Sequence, residues 1–92
     1  MANIYLKHKH SSTLYLLTDN KEYELRLTDG TITKRGRHTV LNTDKMLDKQ
    51  NYKIICRRAF ISQLTINNVQ ISQEIQNLLN VQLCIRLEYK LL

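Results

Sequence analysis

The chain has 92 residues, 42% of them hydrophobic and 24% charged, with a net charge of +6. That length holds one domain with a modest core, and the composition excludes a disordered chain. No apolar run approaches the ~18 residues that would cross a bilayer, and the segment from Met1 to His10 lacks a signal-peptide core, so the sequence predicts an intracellular protein that makes no use of a membrane.

Ile4-Tyr5-Leu6 reads as a short strand, and Thr13-Leu14-Tyr15-Leu16-Leu17 as a second, ended by the turn pair Asp19-Asn20. Tyr23 to Leu27 alternates apolar and polar with a period of two, which buries one face and turns Arg26 outward. Asp29-Gly30 then predicts a tight type I′ hairpin, with Thr31-Ile32-Thr33 pairing back on that strand. Thr39-Val40-Leu41 predicts a further short strand, and Asn42 or Thr43 a cap for a helical turn from Asp44 to Leu47. Tyr52 to Ile55 is again rich in strand formers.

In the stretch from Leu64 to Ile71, Asn67-Asn68 predicts the two positive-φ positions of a second tight turn, with Leu64 and Ile66 sharing a face with Val69 and Ile71. Ser72 predicts the cap of a short helix whose apolar stripe is Ile71, Ile75, Leu78 and Leu79, and Asn80 its left-handed stop. Val81 to Leu91 alternates over its whole length and predicts a long, half-buried strand. The sum is a single mainly β domain over residues 1–92, with a β-rich α+β form as the other option: a small antiparallel sandwich or barrel with one or two short helices.

The charge is unevenly distributed. Residues 1–25 and 59–92 are each balanced, so the whole excess lies in 26–58, where nine basic residues face only Asp29, Asp44 and Asp48. Charge confined to one third of a chain makes one face positive, and a positive face attracts phosphate. The densest part is Lys34-Arg35-Gly36-Arg37-His38, just beyond the predicted hairpin, with a glycine that removes side-chain bulk where an anion would approach the backbone. Arg57-Arg58 follows the strand at Tyr52–Ile55. Arginine offers a planar fork matched to phosphate oxygens. The sequence thus predicts that Lys34, Arg35, Arg37, Arg57, Arg58 and Lys53 bind phosphate, the two arginine sites converging from neighbouring strand ends while Lys45 and Lys49 add to the field. Tyr5, Tyr15, Tyr23 and Tyr52 occupy strand positions where packing accounts for them, so phosphate contact is better supported than base reading.

Catalytic patterns are thin. No Ser, His and Asp fall in a nucleophile-elbow setting and no phosphate-binding P-loop is present, so no enzyme is expected. His8 and His10 share a strand face but have no third ligand nearby, and they read as a solvated pair rather than half a metal site. Neither a metal nor a cofactor is expected. Cys56 and Cys84 lack CxxC spacing and read as two reduced structural thiols, a single disulfide being the alternative, and Arg57-Arg58 would favour a thiolate at Cys56. The chain has no proline or tryptophan and is rich in Lys, Asn and Ile, a composition that fits a virus or mobile element with an AT-rich genome.

The order of features resembles a forkhead-associated (FHA) domain over about two thirds of the chain. Gly36-Arg37 is similar to that family's glycine-arginine at a strand end. Cys56 to Phe60, "CRRAF", is similar to its serine-arginine-x-histidine stretch, Thr65 to Ile71, "TINNVQI", to its asparagine-glycine turn, and "LCIRLEYKLL" to its closing strand. Cys56 stands where the family has serine, Ala59 where it has histidine and Asn68 where it has glycine. The resemblance implies an eleven-stranded β-sandwich that binds phosphothreonine peptides through loops, with Arg37 and Arg57 on the phosphate.

The leading expectation is a small, non-enzymatic intracellular binding protein that contacts the phosphates of nucleic acid through a basic face. A different class stands beside it: a protein-interaction module that binds a phosphoprotein as an FHA-like domain, binds a host protein as a viral factor, or assembles with itself as a homodimer or subunit through the long last strand.

Overall fold

A computed structural model of the chain describes residues 3–36 and 44–80. Strands β1 (Ile4–His8), β2 (Thr13–Leu17), β3 (Lys21–Arg26), β4 (Ile32–Gly36) and β5 (Tyr52–Ile55) form one antiparallel sheet in the order β4-β3-β2-β1-β5. Three helices complete the described chain: α1 (Asp44–Leu47), α2 (Arg57–Ile66) and α3 (Gln73–Leu79). The expected class, small and rich in antiparallel strands with short helices, is what the structure shows.

The side-chain pattern explains the strand order. β2 is buried at Leu14, Tyr15, Leu16 and Leu17 alike, because it lies at the centre of the sheet with cover on both faces. β3 keeps a period of two: Tyr23 and Leu25 face inward on one side, while Glu24 and Arg26 project from the other. On the first face, Leu14, Leu16, Tyr23 and Leu25 meet Phe60 and Leu64 of α2 and Ile75 and Leu79 of α3 in the main core. On the second face Leu6, Tyr15 and Leu17 form a smaller cluster with Ile4, Met46 and Tyr52.

Two turns differ from the sequence expectation. The β3–β4 connection is not a two-residue type I′ turn. Gly30 alone has positive φ there, at 74°, and its N–H donates to Arg26 O at 2.8 Å across a longer loop. Asp29 meets the geometry from its side chain instead, accepting from Thr31 N at 2.9 Å, which is the Asx-turn alternative open to aspartate.

The larger difference lies between Cys56 and Ile71. The sequence predicts a hairpin turning at Asn67-Asn68, whereas residues 57–66 are the helix α2. Cys56 caps its start, its Sγ accepting from Ala59 N at 3.4 Å. Asn68 has positive φ (54°), while Asn67 does not, at −93°. Val69 N donates to Leu64 O at 3.0 Å and Asn68 N to Thr65 O at 3.2 Å, the paired bonds of a Schellman stop. Val69 packs with Leu64 in the core, the apolar contact that accompanies such a stop.

The end of the described chain follows the expectation closely. Ser72 Oγ accepts from Ile75 N at 3.4 Å to open α3, and Asn80 closes it in the left-handed region at φ 57°, ψ 48°. The predicted strands at Thr39–Leu41 and Val81–Leu91, the predicted caps Asn42 and Thr43, and Cys84 lie outside the described residues. No helix among the described residues is long and apolar enough to cross a membrane.

Candidate phosphate-binding surface

The predicted phosphate-binding residues are dispersed across the fold. Arg35 stands on β4 with its guanidinium between two carboxylates, donating to Glu22 at 2.7 Å and Glu24 at 2.9 Å. Lys34, on the opposite face of the same strand, reaches Glu74 of α3 at 3.3 Å. Glu74 also accepts from the Tyr23 hydroxyl. Burial, followed by that bond to Glu74, pushes the Tyr23 phenol up to about 12.

Arg57 begins α2. Its Nε donates to Leu79 O at 2.7 Å and an Nη to Asn80 O at 3.2 Å, so it satisfies the carbonyls left open at the end of α3. Arg58 is exposed with no hydrogen bond or ion pair among the described residues, and Arg37 and His38 lie outside them.

Among the described residues, Arg35 and Arg57 do not converge. β4 and β5 are opposite edges of the sheet, four inter-strand spacings apart, or about 19 Å at the usual ~4.8 Å per step. Three predicted cations are therefore held by the protein's own groups: Arg35 by Glu22 and Glu24, Lys34 by Glu74, and Arg57 by helix carbonyls.

A different set of cations gathers around β5, and of the predicted residues Lys53 belongs to it. Lys7 on β1 and Lys53 on β5 are direct register partners. Like charges placed directly opposite on a sheet repel, and neither has a carboxylate partner among the described residues. Lys9 extends from the end of β1 and donates to Lys49 O at 2.6 Å, which brings the Lys49 segment against the β1 exit. Lys45 on α1 meets Glu22 at 3.2 Å and lies 5.3 Å from the Tyr15 ring centroid. The lysines thus wrap around the β5 edge, Lys7 and Lys53 in register with Tyr5–Ile55 and the others toward the opposite face.

Between them lies a groove of about 500 Å³. Its apolar lining is Leu6, Met46, Tyr52 and Ile54, and Lys9, Lys45, Lys49 and Lys53 border it. Tyr52 is fixed by edge-on contacts with His8, at 4.9 Å between centroids, and Tyr15, at 5.5 Å. Burial, with Glu24 adding to it, raises the Tyr15 phenol above its ordinary range, so it is protonated at neutral pH. Ile54 is 58% exposed, an unusual position for a large aliphatic side chain bordered by lysines.

Sequence reasoning missed Lys7 and Lys9. They belong to a segment whose charge balances in the count, but two of its acids, Glu22 and Glu24, pair with Arg35, and Glu22 with Lys45, rather than with Lys7 or Lys9. The usable signal was the alternation: Lys7 on one strand with Lys9 just beyond it, and Lys53 on a second strand. His8 and His10 stack edge-on at 6.0 Å, and His8 Nδ1 accepts from the His10 backbone N–H at 3.1 Å. Among the described residues no three His, Cys, Asp or Glu side chains cluster as a metal site would need.

No protein-family model matches the chain, and neither a curated protein nor a solved structure matches it. Of the stretches that resemble the FHA pattern, Cys56–Phe60 is the cap and first turn of α2, and Thr65–Ile71 runs from the last turn of α2 through its stop.

Proposed function

We propose that this chain is a small, non-enzymatic nucleic-acid-binding protein of the cell interior, which contacts backbone phosphates through the lysines around β5 that no carboxylate holds among the described residues: Lys7, Lys9, Lys49 and Lys53. One observation carries the reading. Lys7 and Lys53 face each other across β1 and β5 with no acid between them among the described residues, an arrangement that costs stability until an anion bridges it. Lys9 and Lys49 supply further cations near the β1 exit, where Lys9 reaches the Lys49 carbonyl.

Each phosphate neutralised releases condensed counterions, so binding of a fluorescent oligonucleotide is expected to fall with a log–log salt slope of about −3 to −4 for four contacts. Replacing both Lys7 and Lys53 by glutamate is expected to abolish binding at moderate salt while circular dichroism shows the sheet intact. Binding that ignores salt, or that survives the double replacement, overturns the reading.

A further inference from the structure

Resting on that reading, we propose that the groove beside β5 receives a single unstacked nucleobase, so that the protein selects single-stranded nucleic acid over duplex. The groove's volume of about 500 Å³ falls within the range of small-molecule pockets and has room for a base with part of its sugar. Its four lysines serve an anion, but the apolar half of its lining goes beyond what phosphate alone would use. Leu6, Met46, Tyr52 and Ile54 offer no donor to a bare anion beyond the Tyr52 hydroxyl, whereas they present apolar and aromatic surface to a flat ring. Ile54, 58% exposed, is surface that such a ring would remove from water.

The border argues for repeated charge. Lys9, Lys45, Lys49 and Lys53 come from the β1 exit, α1, the turn after α1, and β5, so four separate segments bring a lysine to the groove, Lys45 with Glu22 as its partner. A fatty acid or other single-headed amphiphile needs one cation at one end. A nucleotide within a strand carries a phosphate on each side of its sugar, which matches a groove that takes lysines from several segments beside apolar side chains. In a duplex the bases are stacked and paired, and none can enter without being flipped out.

The test uses the full chain and fluorescence anisotropy with four probes: a 12-mer oligothymidylate, a 12-base-pair duplex, a 12-mer abasic phosphodiester, and a fluorescent long-chain fatty acid. The proposal expects the oligothymidylate to bind about tenfold more tightly than the duplex or the abasic chain, the fatty acid to bind weakly, and I54S to bring oligothymidylate down toward the abasic level. Equal binding of oligothymidylate, duplex and abasic chain overturns the base site while leaving phosphate binding intact. Absence of binding to all three polyanions overturns the proposed function, and this inference with it. Tight fatty-acid binding that oligothymidylate fails to displace overturns the inference in favour of an amphiphile. The comparison among probes needs no variant, so it decides the matter even if I54S does not fold.

Discussion

Arg35 is the residue whose meaning changes most between sequence and structure. In the sequence it is the centre of a basic run; in the fold it is the counter-charge for Glu22 and Glu24. Glu22 is buried, which by itself would raise its carboxyl, yet hydrogen bonds from Arg35 and Lys45 outweigh burial and hold it below the usual carboxylate range. A depressed folded-state value adds stability above the unfolded value of 4.5, and that stability is lost as pH falls through the folded value. R35A is expected to destabilise the protein by about 1 kcal/mol at pH 7, discounting for the half-exposed guanidinium, and to flatten the loss of stability below pH 4.5. Urea midpoints at pH 7 and under acid conditions check both. Oligonucleotide affinity is expected to change little in R35A, because Glu22 and Glu24 pair with none of Lys7, Lys9, Lys49 and Lys53, although Lys45 shares Glu22 with Arg35. The positive charge of Arg35 was legible in the sequence. Its partners were not, because they sit on β3 and are chosen by the cross-strand register, which pairs Glu22 with Arg35.

At the scale of elements, α2 shows where sequence reasoning loses its hold. Thr65-Ile66 and Val69-Gln70-Ile71 flank an Asn-Asn pair, and β-branched residues on both sides of a turn pair are the local pattern of a hairpin. The competing signal is weaker to the eye: Phe60 and Leu64 lie one helical turn apart, with both side chains fully buried, and Cys56 is a poor capping residue by type. Tertiary burial of that pair decided the outcome. The left-handed position was read correctly in kind at Asn68 and in full at Asn80, since asparagine tolerates that region for the same reason in either setting. N68V is therefore expected to destabilise by about 1–2 kcal/mol, and N68G to be neutral or slightly stabilising, as read from thermal midpoints. Phe60 touches Tyr5 with ring centroids 5.2 Å apart and has no exposure. F60A is expected to cost about 3–5 kcal/mol, which for a domain of this size means loss of cooperative unfolding by calorimetry.

Taken whole, the molecule is a sheet with unequal faces. One carries α2 and α3 over a large core, and the other holds a small apolar cluster beside an ion-paired patch. Single strands and the caps of α3 could be read from local pattern, but the strand order could not, and the order is what puts Arg35 on the edge opposite β5, the strand that leads into Arg57, and brings the β1 and β5 lysines together. Among the described residues those edges are β4, with Lys34 and Arg35, and β5, with Lys53. An edge strand offers open backbone groups to any other strand, and lysine at an edge makes such pairing unfavourable by repulsion between copies. The lysine array beside Ile54 would therefore guard the chain against self-aggregation in addition to the anion binding proposed for it. A polyanion that neutralises those lysines also removes the guard, so solubility would be lowest where the bound anion just cancels the positive charge and would recover when anion is in excess.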